Sequence, residues 1–381
     1  MKKFVRFFVL PSVITLISAC GNSSDGGGAY QKAQKLFSRG DFNAANVELM
    51  NAVIAQPKAA NIYVLRARVF LKMGDGVAAE GQVAQARNLG ADAKILATLA
   101  TEAALLQKDT VKAARLIESA NGAFESPADQ ARLSGERMLL DREFGGAAAQ
   151  FTAAQAIDPK DGRVAIGMGH VQLLTGDYTG AAASAKTAIA LNPEWSGAHI
   201  LAGRVALFQG QFLASLEQFD AALKLDPANV TAMFGKATVF GEMNRTADMQ
   251  KWTISGRQLA PADPYGLFLL ARLAAGKNDF KRAYALMEQT GEGLADDAVA
   301  ATFAGEMAIQ MGYTAKAIGY FERAIAVAPQ ISHLHILLAN AQLANKEPAA
   351  ASATLRKFDT FIPLPQEVTE LRAQIAEAGG A

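Results

Sequence analysis

Few side chains in this sequence have the types and spacing that catalysis requires. His333 and His335 lie two residues apart, so on a helix they point about 200° apart and do not match the spacing of three or four residues that helical metal pairs use. Asp296 and Asp297 fall between two predicted helices and are expected to cap the second. No zinc-protease, phosphate-loop or nucleophile-elbow motif occurs. We therefore predict a protein that is not an enzyme and has neither a metal nor a cofactor. The four histidines are His170, His199, His333 and His335.

Composition and charge favour a helical protein that does not bind nucleic acid. The chain has 381 residues, of which 51% are hydrophobic but only 8% aromatic. The difference comes from alanine, which favours helices over strands. Formal net charge is +1, and it is about −2 without the first 19 residues, which hold three basic and no acidic residues. This balance supplies no strong field for nucleic acid. The single cysteine excludes an internal disulfide.

The N-terminus has the pattern of a targeting segment. Lys2, Lys3 and Arg6 precede an apolar stretch, residues 7–19, that is interrupted by a proline. It is shorter than the roughly 20 apolar residues of a membrane span and is typical of a secretory signal. The residues before Cys20 are Leu-Ile-Ser-Ala, which resembles the bacterial lipobox.

That resemblance implies a signal peptide over residues 1–19, cleavage before Cys20 and lipidation of its thiol, with several acyl chains giving stable anchoring. The Gly/Ser/Asn-rich residues 20–28 would then form a flexible tether. Gly21, where some lipoproteins carry aspartate, resembles the outer-membrane sorting pattern. The expected location is the periplasmic face of the bacterial cell envelope, with the outer membrane favoured. The alternative is a plain signal peptide followed by an incidental cysteine.

One period of 34 residues runs through the rest of the chain. Seven of the twelve prolines fall at 57 plus a multiple of 34. Each would follow a helix and stop it, because proline has no amide donor. These are Pro57, Pro159, Pro193, Pro227, Pro261, Pro329 and Pro363.

We number this proline as position 32 of a 34-residue unit, the first of which begins at Gly26. Residues at equivalent positions of successive units then have similar sizes. Positions 8 and 20 are small and position 24 is mostly bulky, as in Phe151, Phe219 and Phe321. Small residues let two antiparallel helices approach closely, and large ones fill the remaining space. Turns such as Gly40-Asp41 and Gly176-Asp177 predict a glycine that ends the first helix and an aspartate that caps the second.

These columns resemble the tetratricopeptide repeat family over about ten units. The resemblance implies an all-α fold, a right-handed superhelical solenoid of about ten helix-turn-helix units over residues 29–365. Residues 366–381 are expected to form a C-terminal capping helix and tail. Residues 244–297 depart most from the pattern, which indicates either a local bend or sequence drift.

In that family, side chains of the first helices line a groove that binds proteins, chiefly at positions 2, 5, 9, 12 and 13. Here position 5 is largely apolar and position 9 is charged or polar, which suits a peptide or a helix. The mixed signs argue against a polyanion, and the pair of basic residues with which chaperone-binding relatives hold a C-terminal carboxylate is missing. The alternative is that these side chains only pack between repeats. The predicted partner-binding residues are Tyr30, Arg68, Glu102, Arg132, Glu136, Ile166, His170, Ile200, Arg204, Phe234, Phe268, Arg272 and Glu306.

The function that this sequence favours is a lipid-anchored periplasmic scaffold that binds other envelope proteins. Systems with similar lipoproteins include exopolysaccharide export, pilus or secretion assembly, and outer-membrane assembly, and the length of the array slightly favours the first. One alternative is an adaptor or regulator of a peptidoglycan enzyme. Another, from a different class, is an enzyme with an unrecognised site in the groove.

Overall fold

The computed structural model describes residues 26–359 and 365–379. The predicted signal peptide, Cys20 and Pro363 lie outside these residues. Within them the chain forms twenty-one α-helices and two short 3-10 helices, without a strand. Two compact units meet in the sequence at Glu143 and Phe144, and we refer to them as unit 1 and unit 2.

Unit 1 contains α1 (Gly26–Ser38), α2 (Phe42–Ala55), α3 (Ala60–Lys72), α4 (Gly76–Asn88), α5 (Ala93–Leu106), α6 (Thr110–Ala120) and α7 (Asp129–Leu140). Unit 2 begins with α8 (Phe144–Ile157), α9 (Gly162–Leu174), α10 (Tyr178–Leu191), α11 (Ser196–Phe208), α12 (Phe212–Leu225), α13 (Val230–Glu242) and α14 (Thr246–Leu259). It continues with α15 (Pro264–Ala275), α16 (Phe280–Thr290), α17 (Ala298–Gln310), α18 (Thr314–Val327), α19 (Ser332–Ala344), α20 (Pro348–Leu355) and α21 (Gln366–Glu377).

The helices follow the 34-residue period closely, which confirms the predicted all-α repeat fold. The second helix of every repeat begins at 42 plus a multiple of 34, from Phe42 to Pro348. Eight of the ten first helices begin at 26 plus a multiple of 34. Residues 244–297 keep this spacing, although their sequence departs from the repeat pattern. Helix α1 already starts at Gly26, so the last three residues of the predicted tether are helical, because Ala29 and Tyr30 pack against the first core cluster.

Each turn inside a repeat uses one left-handed residue at position 15. Five repeats place glycine there, with φ between 71° and 84°. The other five place a residue with a side chain there: Lys108, Arg142, Asn244, Asn278 and Lys346. In several turns the next residue is an aspartate that caps the second helix, and Asp41 and Asp177 each accept a hydrogen bond from an amide three residues on, at 3.1 and 2.8 Å. The turn that we predicted is therefore confirmed.

The proline of the repeat coincides with longer second helices. Helix α2 and the other described second helices with this proline span 14 residues and end two residues before it. Helices α6 and α16 lack the proline and span only 11 residues. The residues that follow them, Asn121 and Gly291, have φ values of +46° and +53°, so a left-handed residue stops these helices earlier.

In unit 2, phenylalanines at position 24 fill space that glycines leave open. Phe219 is fully buried. A Cβ atom on Gly203 would lie 3.0 Å from its ring, and one on Gly235 would lie 2.4 Å from it. Phe151 and Phe321 have the same relation to glycines of α9 and α17. The small and the large residues that recur in the sequence therefore pack against one another between neighbouring helices.

In repeat seven, a phenylalanine from a different position of the repeat fills the corresponding space. Its position 24 holds the short Thr253, and Phe234 of α13 supplies the large ring instead. A Cβ atom on Gly256 would lie 2.4 Å from that ring, and one on Gly266 would lie 2.7 Å from it. The departures in this part of the sequence thus compensate one another.

The last helix, α21, covers the apolar end of unit 2. Val368, Leu371 and Ile375 are buried in a cluster that also contains Leu355 and Phe358. Without this helix the apolar side chains of α19 and α20 would face water. A terminal element of this kind gives a repeat array a polar outer surface.

Candidate functional site

The first helices of successive repeats pack side by side within each unit. Contacts join α3 to α5 and α5 to α7 in unit 1, and α9, α11, α13 and α15 in sequence in unit 2. Side chains at positions 2, 5 and 9 of these helices interact across the helix boundaries. We call this surface the first-helix face of each unit, and it contains all the predicted partner-binding residues.

A charged network occupies the first-helix face of unit 1. The side chain of Arg132 is 2% exposed, and its guanidinium binds Asp129, Glu102 and Glu136, with N–O distances of 2.7 Å in each case. Burial by itself lowers the pKa of Arg132, but the charges of Glu136, Glu102 and Asp129 outweigh burial and raise it. Arg132 is therefore held by two carboxylates of its own helix and by Glu102 of the preceding repeat, and it is not accessible to a partner, which corrects its prediction as a contact residue.

The remaining candidates of unit 1 are more accessible. Arg68 binds Glu125 at 2.5 Å, and both side chains are about one-third exposed. Glu102 and Glu136 are also partly exposed beside Arg132. Tyr30 is half-buried at the edge of the first core cluster. This face therefore presents carboxylates around a buried arginine.

Aromatic rings run along the first-helix face of unit 2. The ring centroid of Tyr265 lies 6.2 Å from that of Phe234 and 5.6 Å from that of Phe268, which lies 5.7 Å from Phe303. Phe234 and Phe268 are only 3% and 2% exposed. Neither ring is therefore an accessible groove floor as predicted, and for Phe234 the reason is that Gly256 and Gly266 of neighbouring helices leave space for the ring in the core. Ile166 and Ile200 are half-buried.

Polar side chains follow the same rings at position 9. Thr238 donates its hydroxyl proton to the carbonyl of Phe234 at 2.9 Å, so the hydroxyl of Tyr265, 3.1 Å away, donates to Thr238. Arg272 binds Glu242 at 2.9 Å and lies over the ring of Phe268. The structure thus joins several predicted residues into one polar and aromatic surface.

His170 and Glu306 lie on this face in environments that change their proton affinity. Burial among protein atoms and then the charge of Arg204 lower the pKa of His170, so its imidazole is neutral at pH 7. Partial desolvation by neighbouring protein atoms raises the pKa of Glu306 although the residue is exposed, and the charge of His333 partly offsets this rise. The neutral His170 can donate one hydrogen bond and accept another.

The sequence reasoning did not include Tyr265 and Phe303 among the candidates. Tyr265 occupies position 2, which was recognised as a groove position, so its type and place were available as a signal. Phe303 occupies position 6, and only the folded chain brings its ring beside that of Phe268. Asp297 accepts hydrogen bonds from Val299 and Ala300 as the cap of α17, which confirms that prediction.

Neither face shows an arrangement for catalysis by a bound metal. Among residues 26–359 and 365–379, no group of three or more His, Cys, Asp or Glu side chains could hold a metal ion. In the same part of the chain, no helix has the length and apolar character that crossing a membrane requires. What both faces offer is charged, polar and aromatic groups for contact with another molecule.

The fold and these faces define a protein built from repeated helical hairpins with an extended contact surface. The profile of the tetratricopeptide repeat family matches residues 200–241 and 304–363. These matches include parts of four of the repeats that share the 34-residue spacing. These matches and the 34-residue helical period support the tetratricopeptide repeat family for this chain. Repeat proteins of this kind bind other proteins along extended surfaces.

Comparison with solved structures finds similarity at low sequence identity. A tetratricopeptide repeat protein from Parabacteroides merdae has a TM-score of 0.43 and 13% identity, covering 65% of this chain and 98% of that chain. Yeast Tom70 has a TM-score of 0.41 and 16% identity, covering 94% of this chain and 89% of that one. The Cut9–Hcn1 hetero-tetramer of APC/C has a TM-score of 0.35 and 12% identity, with coverage of 92% and 96%. No curated protein sequence matches this chain significantly.

Proposed function

We propose that this protein is a scaffold of the bacterial cell envelope that binds other proteins through its first-helix faces. The observation that carries the proposal is the composition of the face in unit 2. There, half-buried aromatic and charged side chains such as Tyr265, Phe303 and Arg272 lie together. Aromatic residues and arginine are enriched among the groups that dominate protein interfaces.

The envelope location rests on the amino-acid sequence. A basic segment, a short apolar stretch and a small-residue cleavage pattern precede Cys20, the single cysteine of the chain. Lipids on Cys20 would hold the repeats at a membrane while both faces stay free for partners. An anchored scaffold of this kind would assemble or stabilise an envelope machine, with exopolysaccharide export, pilus or secretion assembly and outer-membrane assembly as the systems to examine.

Site-specific photo-crosslinking in the native bacterium tests the binding surface. A benzophenone amino acid would replace Glu306 or Asn340, exposed residues at position 9 of α17 and α19. Control proteins would carry it at Glu322 or Ala353, exposed residues of the second helices of the same repeats. We expect discrete crosslinked envelope proteins from the first pair. Equal crosslinking from both pairs, or none from the first, would refute the first-helix face as the binding surface.

Lipidation is tested separately by metabolic labelling with radioactive palmitate. We expect the wild-type protein to carry the label and to partition with the detergent phase. The Cys20→Ser variant should carry none and should partition with water. A wild-type protein without label would refute the anchor, and it would leave the crosslinking result unaffected.

A further inference from the structure

Arg204 is the exception among the arginines at position 9 of the first helices. Arg68 binds Glu125, and Arg272 binds Glu242. Arg204 is half-buried on α11, yet it makes no hydrogen bond or ion pair with any residue that the structure describes. Its planar guanidinium carries five donors and a permanent charge. A partly desolvated cation without a partner is costly, so this position is favourable for a bound anion.

The polar groups whose charge or position relates them to Arg204 do not accept a hydrogen bond from its guanidinium. His170 of α9 also makes no hydrogen bond within the described part of the chain. The hydroxyl of Tyr265 is directed to Thr238. Asp297 acts on Arg204 through its charge, but one of its carboxylate oxygens is engaged in capping α17. Burial lowers the pKa of Arg204, which reflects the desolvation that a bound anion would compensate.

We propose that Arg204 and His170 form a subsite that binds the carboxylate of an Asp or Glu side chain from a partner protein. This inference rests on the proposed function, because it concerns a segment bound on the first-helix face of unit 2. The guanidinium can bind both oxygens of a carboxylate, and the neutral imidazole can donate a further hydrogen bond. Recognition of the partner would then depend on one acidic residue.

Two observations favour a side-chain carboxylate over other anions. A phosphate carries close to two charges at pH 7, whereas this place offers one cation beside a neutral histidine, and the charge of Asp297 already acts on that cation. The face also continues on both sides of Arg204, with Ile166 on α9 and with Tyr265 and Phe303 on α15 and α17. A segment that passes across Arg204 uses both sides, whereas a chain terminus would use one.

Selection from a peptide library tests the subsite. The probe is a random 12-residue library displayed at the amino end of a phage coat protein, so that no peptide has a free carboxyl terminus. Wild-type protein would be compared with Arg204→Glu. The control is Arg323→Glu, which reverses a similarly exposed arginine of α18.

We expect the wild-type protein and the control to select peptides with an acidic residue at a fixed place, and Arg204→Glu to select a basic residue there. Changing the acidic residue of a selected peptide to its amide should lower its affinity about 10- to 100-fold, the range for a charge-assisted hydrogen bond. If Arg204→Glu does not fold, Arg204→Gln should show the same loss with the original peptide.

Two results would overturn the proposal in different ways. Selected peptides without a fixed acidic residue, or the same acidic residue in the Arg204→Glu pool, would reject the carboxylate subsite and leave the binding face intact. If the wild-type protein selects no peptide, both the subsite and the proposed function of unit 2 lose their support.

Discussion

Alanine at position 235 should collide with the ring of Phe219. The new Cβ atom would lie 2.4 Å from the ring, which is fully buried. The ring has little room to move, because it is fully buried and also packs closely against Gly203, where an added Cβ atom would lie 3.0 Å from it. Overpacking of this kind costs about 1–3 kcal/mol of unfolding free energy. Alanine regains about 0.5–1 kcal/mol from its higher helix propensity, so we expect a net loss of about 1–2 kcal/mol.

Gly319 provides the matched control. It lies inside α18 and is exposed, and a Cβ atom there would meet nothing within 4 Å. Gly319→Ala should therefore stabilise the protein by about 0.5–1 kcal/mol. The two substitutions add the same methyl group to a helix, so the difference between their effects measures the collision with Phe219.

Urea unfolding followed by tryptophan fluorescence is the assay. The chain has two tryptophans, both in unit 2. Trp195 precedes α11, and Trp252 lies in α14, so they flank the helices that hold Phe219 and Gly235. The variants Gly235→Ala, Phe219→Leu and their combination complete a double-mutant cycle.

The smaller leucine should make room for the new methyl group. The combined variant should therefore be more stable than the sum of the single effects predicts, by at least about 0.5 kcal/mol. Additive effects, or a Gly235→Ala variant as stable as Gly319→Ala, would show that the fit between phenylalanine and glycine does not limit packing in unit 2.

Three further predictions address the charged network, the turns and the response to pH. Arg132→Met should destabilise the protein by about 3–5 kcal/mol in urea unfolding, because it leaves the buried Asp129 without its cation; a loss below 1 kcal/mol would contradict the network. Lys346→Gly should raise the unfolding free energy by about 1 kcal/mol, because Lys346 has a φ of +63° that glycine adopts without strain; unchanged thermal unfolding in circular dichroism would contradict this. The hydrogen bond from Tyr320, and after it the one from Lys316, lowers the pKa of Glu288 below 4.5. The ionised carboxylate of Glu288 therefore adds to the free energy of unfolding at neutral pH. This stabilisation is lost as the pH falls below 4.5 and through the lowered pKa. Glu288→Gln should therefore weaken the acid dependence of stability, and identical pH profiles would show that the interaction has no effect.

The repeat fold could be read from the amino-acid sequence because its determinants are local and recur ten times. Glycine or another left-handed residue ends each first helix, and the second helix restarts at the same place in every repeat. These features depend on residues within a few positions of one another. Repetition then distinguishes them from accidental patterns, which is why helix starts agree with a 34-residue period even between Asn244 and Asp297.

Other features depend on residues from different repeats and were decided only by the tertiary structure. The spacing of Phe234 and Phe268 placed them correctly on the first-helix face, but periodicity gives only the direction of a side chain from its own helix. Gly256 and Gly266 on neighbouring helices leave the space that buries Phe234. The same holds for charge, because a position in the repeat does not say which side chain of the next repeat will reach it.

Two arginines, one from each unit, illustrate that limit. Position 5 placed Arg132 on the first-helix face of unit 1, position 9 placed Arg204 on that of unit 2, and both residue types suggested binding. In the folded chain, three carboxylates enclose Arg132, whereas Arg204 is left without a partner among the described residues. Local residue patterns set the helices, their turns and the side of each helix on which these residues lie. The folded chain shows which charge is paired and which is not, because burial and pairing also depend on the side chains that other helices bring.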